Sequence, residues 1–305
     1  MTDSFDFYGP EDAYPLSDDG IAFFRARTLG ELLGDATRFI SDHLRPIAAS
    51  FLAIGGPCVL LVVVASLWIW TRIDSGESLG LIVVFVLVFG IASLFITGAM
   101  FAVLRVYFYQ GPASLTLPVL WAETRAVFWP LFRVAFVTNL LSGLLNLTEL
   151  IPVLGPFISF GLSMVTLPVF TLAVVARMLD QGSTSEALDR VTTLATEEPR
   201  AAFGYGLLIA LVTFVAGMLG LFLPMMGGGF AIDILGIVGV TAGTSALVGI
   251  GVLFLTVGQA VLMFFFTAYA LLYGHLVDRV EGVSLGARVA ALEDETAPLD
   301  DTPAW

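Results

Sequence analysis

The sequence predicts an all-α integral membrane protein with six transmembrane helices arranged as three hairpins, each preceded by an amphipathic interfacial helix. Of its 305 residues, 58% are hydrophobic and 13% are charged, whereas soluble domains carry about 25% charged residues. Long apolar runs recur along the chain, and arginines gather on alternate connections between them. This composition excludes an ordinary soluble enzyme, a disordered protein and a disulfide-stabilised scaffold.

A membrane-spanning helix needs about 20 mostly apolar residues. A sixth apolar region, 229–277, is too long for one helix and too short for two helices with a loop. Its second half, from Leu253 to Leu276, is the predicted sixth helix. Its glycine-dense first half is interpreted as a long outer connection, a re-entrant segment or a seventh span. The other five predicted spans are residues 47–71, 79–104, 127–148, 152–176 and 201–224.

The arginines decide between these topologies. The chain has thirteen arginines and no lysine. With six spans and both termini inside, twelve arginines lie inside and only Arg72 lies outside, as the positive-inside rule requires. A seventh span would place Arg279 and Arg288 outside. We therefore predict a plasma (inner) membrane protein of a bacterium or archaeon, with cytoplasmic N- and C-termini.

Acidic tails, residues 1–27 and 294–305, flank the predicted membrane domain of residues 28–293. The net charge of -13 makes nucleic acid an unexpected partner, because binding to phosphate backbones needs a basic surface. A lysine-free and acid-rich chain is typical of proteins from a high-salt cytoplasm. GC-rich coding, which favours arginine over lysine, is the alternative explanation.

Three similar units follow one another within the membrane domain. Thr28 and Glu31 have the spacing of a capping box and begin an amphipathic helix ahead of the first span. Ser183 and Glu186 repeat this box ahead of the fifth span. Residues 116–126 are a weaker version ahead of the third span. The pattern predicts an internal repeat, in which a surface helix leads into a transmembrane hairpin.

The predicted surface helices and the ends of the spans carry arginines suited to anionic lipid. An interfacial helix buries its apolar face at the headgroup boundary, which brings its basic residues to the level of the lipid phosphates. We expect a non-enzymatic protein that interacts with phospholipid or is an accessory to an envelope or membrane complex. The candidate headgroup-binding residues are Arg38, Arg45, Arg125, Arg133, Arg190 and Arg200.

Neutral polar residues inside the predicted spans support a second hypothesis, a channel or uniporter that also uses the glycine-rich segment 227–251. They would line a hydrated groove or a headgroup-binding face between the third and sixth spans. The alternative is that they form hydrogen bonds between helices. No ionisable residue falls at mid-depth, which disfavours a coupled transporter. The intramembrane candidates are Asn139, Ser142, Asn146 and Gln259.

The sequence contains no recognisable catalytic or metal-binding motif. Cys58 is the only cysteine, so no internal disulfide and no cysteine-based metal cluster is expected. The two histidines, His43 and His275, are too few for a histidine-rich metal site. We expect no cofactor and no enzyme activity, and we expect phospholipid together with a protein partner or a second copy of the chain as partners.

The layout resembles a group of bacterial multi-pass membrane proteins that includes the membrane domains attached to some glycerophosphodiester phosphodiesterases. The likeness is carried by TLGELL (28–33), by the run to Arg45 and Pro46, and by LVDRVEGVSL (276–285). It implies the same arrangement, in which a capped amphipathic helix leads through a basic residue and a proline into a span. The phosphodiesterase domain has no counterpart here, so the resemblance implies no catalytic residue.

Overall fold

A computed structural model describes residues 21–70, 78–150, 154–180, 182–220 and 242–282. This part of the chain forms nine α-helices joined by turns, short 3₁₀ helices and two π-helices, without any strand. The helices are α1 (Leu29–Asp42), α2 (Leu44–Ser50), α3 (Gly56–Trp70), α4 (Ser78–Gln110), α5 (Leu117–Asn146), α6 (Gly155–Leu179), α7 (Thr184–Glu197), α8 (206–220) and α9 (Ala242–Glu281).

Six helical stretches in the described ranges are long and apolar enough to cross a membrane, which confirms the predicted number. The chain is therefore a multi-pass membrane protein. Helix formation follows from the apolar environment, because a backbone polar group in hydrocarbon must find its hydrogen bond within the protein. The six stretches are Leu44–Val62, Val86–Gln110, Leu117–Leu145, Phe157–Leu179, Arg200–Gly220 and Val257–Glu281.

Two predicted boundaries differ from the structure. Residues 116–126 do not form a separate surface helix, because α5 continues through Pro130 without a break. A proline removes one helical hydrogen bond, and the long α5 tolerates that loss. Of the three interpretations of the glycine-dense stretch, an irregular connection does not hold for 242–252, because these residues are the first three turns of α9. Residues 221–241 lie outside the described part of the chain.

Both predicted capping boxes are present. The Thr28 side chain accepts a hydrogen bond from the Glu31 backbone, and the Glu31 carboxylate accepts one from the Thr28 backbone at 2.8 Å. The same reciprocal pair joins Ser183 and Glu186 at the start of α7. Two of the N–H groups that a helix start leaves unsatisfied are thereby bonded at each helix.

The apolar stripe of α1 is covered by protein. Its residues Leu32, Ala36 and Phe39 are at most 1% exposed, and α1 packs on α9. Phe39 also contacts the Tyr107 ring of α4 edge-to-face, with the centroids 4.8 Å apart. The stripe therefore ties α1 to the bundle. In α7 the buried stripe is Ala187, Val191, Leu194 and Ala195.

The tight core lies at one end of the bundle, which we call the arginine-rich end. It comprises α1, α7 and the C-terminal turns of α4, α6 and α9. Tyr269 and Tyr273 of α9 are fully buried there. Towards the opposite end many apolar side chains are exposed: Leu60 is 64% exposed and Phe157 is 75% exposed. The helices thus pack closely at one end and present apolar surface at the other.

Two π-helices interrupt or begin a span: Phe51–Gly55 lies within the first span, after α2, and Arg200–Tyr205 begins the fifth. A π-helix is a rare local widening that leaves carbonyl groups available to other partners. The carbonyl of Gly206, just after the second π-helix, accepts a hydrogen bond from the buried Tyr269 hydroxyl at 2.8 Å. Gly55 closes the first π-helix and lies against Gln259. Both widened segments therefore rest on α9.

Candidate functional site

Arg27 lies in the segment that precedes α1, with 1% of its side chain exposed. Its Nε donates a hydrogen bond to Asp35 Oδ2 at 2.8 Å. Its terminal nitrogens donate to backbone carbonyls of the same segment, those of Ala22, Phe23 and Arg25. A carboxylate thus matches this buried charge, and carbonyls satisfy its remaining donors. Arg27 folds the segment onto itself.

The same segment is bound to the end of α9 through its backbone. The N–H of Ala26 donates to Asp278 Oδ2 at 2.8 Å. The N–H of Arg27 donates to His275 Nδ1, also at 2.8 Å, so that nitrogen carries no proton. A Cβ on Gly274 would stand 2.4 Å from the Phe23 carbonyl oxygen. The glycine is required because the backbone passes directly over it, and the chain ahead of α1 lies at the same end as the end of α9.

Arg190 of α7 is the centre of a second ion-pair cluster. Its Nη1 lies 2.8 Å from Asp180 Oδ2, at the end of α6. Its Nη2 lies 2.7 Å from Glu281 Oε2, at the end of α9, and its Nε also donates to Glu281. The Tyr273 hydroxyl donates to the same Asp180 oxygen. One guanidinium therefore fastens α7 to the ends of two spans.

Burial of this cluster perturbs its carboxyl group. Desolvation raises the pKa of Asp180 above its ordinary value, although the charge of Arg190 and the hydrogen bond from Tyr273 act in the opposite direction. Desolvation acts to lower the pKa of Arg190, but Tyr273 and the two carboxylates outweigh it and raise that pKa. Arg190 therefore stays charged between the carboxylates of Asp180 and Glu281.

The six predicted headgroup-binding arginines differ in their surroundings. Arg190 is engaged as described, and Arg38 forms an exposed ion pair with Asp42 at 3.3 Å within α1. The other four are exposed and have no hydrogen-bond or ion-pair partner among the described residues. These four are Arg45, Arg125, Arg133 and Arg200. They are the members of the set whose guanidinium groups are available to an external anion.

A groove of about 380 Å³ opens on the outside of the bundle between α5 and α6. Its apolar walls include Phe160, Met164 and Phe170. Asn139 Nδ2 donates to the Ala135 carbonyl of its own helix at 2.7 Å, so the amide is partly satisfied internally. The groove's polar lining is Thr138, Asn139 and Ser142 from α5, with Ser163 and Thr166 from α6.

The intramembrane candidates do not form one site. Asn139 and Ser142 line the groove between the third and fourth spans, so the predicted groove between the third and sixth spans is wrong. Gln259 instead lies beside Gly55 of the first span, where a Cβ would be 3.4 Å from its Nε2. The predicted groove does not form because α9, which carries Gln259, packs mainly on α1, α6 and α4 rather than on α5. The side chain of Asn146 and residues 227–241 lie outside the described part.

The described residues hold no group of three or more His, Cys, Asp or Glu side chains that could bind a metal. No known protein family, curated protein or solved structure matches this chain. The resemblance to the membrane domains of some phosphodiesterases therefore stays a prediction. Function must be argued from the geometry alone.

Sequence analysis missed the residues that organise the arginine-rich end. Arg27 and His275 are distant in sequence and meet only because the N-terminal segment folds over Gly274. Asp180 could have been noticed, because it is an acid directly after an apolar span and follows Arg177 by three residues. The sequence gives no signal that Asp180 shares Arg190 with Glu281, since that pairing needs the tertiary fold.

Proposed function

We propose that this chain is a non-enzymatic inner-membrane protein that binds anionic phospholipid at its arginine-rich end, as an accessory to an envelope or membrane complex. The observation that carries the proposal is a set of four exposed arginines that have no partner in the described part of the chain, Arg45, Arg125, Arg133 and Arg200. An anionic headgroup supplies the counter-charge that the fold does not. Charge-assisted contacts between guanidinium and phosphate are among the strongest hydrogen bonds in proteins.

The proposal places both termini in the cytoplasm and the arginine-rich end at the inner leaflet. The docking of Ala26 and Arg27 on α9 supports a common side for both ends of the membrane domain. The positive-inside rule then makes that side cytoplasmic, because arginines gather there. In this arrangement the six spans form three hairpins. The capped helices α1 and α7 lie along the membrane surface, and α5 carries its surface portion as its own first turns.

The exposed apolar residues at the other end support a partner within the membrane. Leu154 is 61% exposed and Leu219 is 56% exposed, and such residues contact lipid, a protein partner or a second copy of the chain. Lipid surrounds any such surface by default. The proposed accessory role therefore depends on the headgroup-binding end. Homo-oligomerisation through the apolar surface is a separate hypothesis.

Native mass spectrometry of the full chain in mild detergent tests the proposal. We expect wild-type protein to retain anionic phospholipid at a fixed stoichiometry. A triple variant, Arg45→Gln with Arg125→Gln and Arg200→Gln, is expected to retain fewer anionic lipids. The matched control is Arg38→Gln, because Arg38 is equally exposed but already paired with Asp42. Equal retention by the triple variant and wild type would contradict the proposal.

The channel or uniporter is the weaker candidate. Asn139 and Gln259 lie on different helix pairs, so they do not supply a common polar path, and the groove at Asn139 opens sideways. The test is solute flux into liposomes with Asn139→Leu and Gln259→Leu. Flux that both substitutions abolish in folded protein would favour the channel over the lipid-binding proposal.

A further inference from the structure

The exposed Arg133 and two partly buried arginines lie near one another at the arginine-rich end, and they come from three different helices. They are Arg105 of α4, Arg133 of α5 and Arg177 of α6. Arg105 and Arg133 both lie close enough to Arg177 to act on its charge. The meeting follows from the packing of α5 on α4 and α6. Two of these residues, Arg105 and Arg177, are not among the headgroup candidates that the sequence suggested.

The fold satisfies this cluster only in part. Arg105 Nη1 forms an ion pair with Glu123 Oε1 at 3.0 Å, and the Arg105 side chain is 17% exposed. The Nε atoms of Arg105 and Arg177 are both buried, and neither has a hydrogen-bond partner in the described ranges. Arg177 forms no ion pair with a described residue. Glu186 is the acid that acts on Arg177, and it already accepts the backbone hydrogen bond of Ser183 at 2.6 Å.

Such an arrangement is costly unless an anion completes it. Like charges repel, and a buried donor without an acceptor loses its hydrogen bond to water without replacement. With Glu123 and Glu186 counted against the three arginines, one positive charge remains unmatched. A phosphodiester carries one negative charge and several acceptor oxygens, which fits both the charge and the unused donors.

The cluster also lies at a suitable depth for a headgroup. Arg177 is in the last turn of α6, and α4 ends one to two turns after Arg105. Arginine side chains at the ends of spans extend towards the membrane surface. A group held between these helices would therefore sit at the level of the lipid phosphates. Arg105 and Arg177 are partly buried, which distinguishes them from the exposed arginines Arg45, Arg125 and Arg200.

We propose that Arg105, Arg133 and Arg177 form a binding site for a singly charged phosphate group, the phosphodiester of a phospholipid. This inference rests on the proposed function and deepens it, because it assigns one bound lipid to one defined site. A free phosphate ion offers the same chemistry, so the experiment must distinguish the two sources.

The test is calorimetric titration of the delipidated full chain in uncharged detergent. One arm uses short-chain phosphatidylglycerol, and the other uses inorganic phosphate. Loss of a charge-assisted hydrogen bond weakens binding by about tenfold or more, so we expect that decrease for Arg177→Gln with the lipid. Arg25→Gln is the control and should bind as wild type does, because Arg25 is exposed, forms an ion pair with Glu31 and is not a headgroup candidate. Binding of phosphate alone would overturn the lipid assignment and leave a free-anion site.

A second variant covers the case in which Arg177→Gln does not fold. Glu123→Gln removes the acid that competes for Arg105, so it is expected to bind the lipid several-fold more tightly, a result that misfolding cannot mimic. Unchanged affinity in both variants, or no binding by wild type, would overturn the site. The lipid stoichiometry of the Arg45, Arg125 and Arg200 triple variant is measured separately, so failure of this site remains distinguishable from failure of the proposed function.

Discussion

Arg27 and Arg190 lie at the same end of the bundle as Arg105 and Arg177. The two pairs of arginines differ in how far the fold supplies partners for their guanidinium groups. Arg27 is matched by Asp35 and by carbonyl groups, and Arg190 is matched by Asp180 and Glu281. Arg105 and Arg177 keep buried Nε atoms without partners among the described residues. This difference indicates two roles for the arginines, one structural and one in binding. Matched arginines fasten surface segments to α9 and α6, whereas unmatched arginines are available to an external anion.

The largest expected loss of stability follows from replacing Arg27. Replacement by Met leaves Asp35 without its partner and releases the carbonyls of the preceding segment. Breaking a buried ion pair costs about 3–5 kcal/mol, so Arg27→Met should strongly lower the midpoint of thermal unfolding in detergent. Arg38→Met is the matched control, because exposed pairs contribute about 0–1 kcal/mol. Similar stability for both variants would remove the structural role given to Arg27.

Gly274→Ala tests the docking of the N-terminal segment without altering a charge. The new Cβ would collide with the Phe23 carbonyl oxygen, and overpacking of this kind costs about 1–3 kcal/mol. Hydrogen exchange at the Ala26 and Arg27 amides should become faster. Gly258→Ala, on the same helix with no atom near its Cβ position, is the control. Unchanged protection of both amides in Gly274→Ala would contradict the described contact.

Asp180 gives the arginine-rich end a pH dependence. Since burial raises its pKa in the folded state, the folded protein binds this proton more tightly than the unfolded chain does. Its contribution to stability is therefore present in acid and declines as the pH rises from about 4 through the raised folded value. Infrared spectroscopy should show a protonated-carboxyl band above pH 4 that disappears in Asp180→Asn. A band that titrates at the ordinary value in wild type would refute the shift.

The smallest change in stability is expected for a substitution in the groove between α5 and α6. Asn139 is exposed and bonds to its own helix, so Asn139→Leu should change the free energy of unfolding by less than about 0.5 kcal/mol. Thr138→Val is the comparison, because the Thr138 side chain is buried and donates to the Val134 carbonyl. A large loss at Asn139 would indicate that the groove holds a structural partner.

Much of the helical architecture could be predicted from the sequence because it is encoded locally. Apolar runs predict the spans, and the pairs Thr28 with Glu31 and Ser183 with Glu186 predict the starts of α1 and α7. The union of 116–126 with the third span in one helix was not predicted, since an amphipathic stretch ahead of a span forms a separate helix in some chains and continues into the span in others. The same holds for α9, whose glycines at 243–251 are typical of a loop in water but belong to a helix here.

The candidate site was less predictable because it depends on which charged side chains from different helices pair with one another. Arg190 and Arg125 look alike in the sequence, and only the fold shows that Arg190 meets Asp180 and Glu281 while Arg125 remains exposed. Arg105 and Arg177 come from α4 and α6, which are separated in the chain by the whole of α5. Their proximity follows from the packing around α5, which no short sequence pattern records.

An experimental structure of the full chain in nanodiscs that contain phosphatidylglycerol would show whether unmatched arginine charge at this end holds a lipid phosphate. We expect phosphate density bridging Arg105, Arg133 and Arg177, and none at Arg27 or Arg190. A cluster without that density, with its guanidinium groups paired to carboxylates instead, would rule out the lipid site.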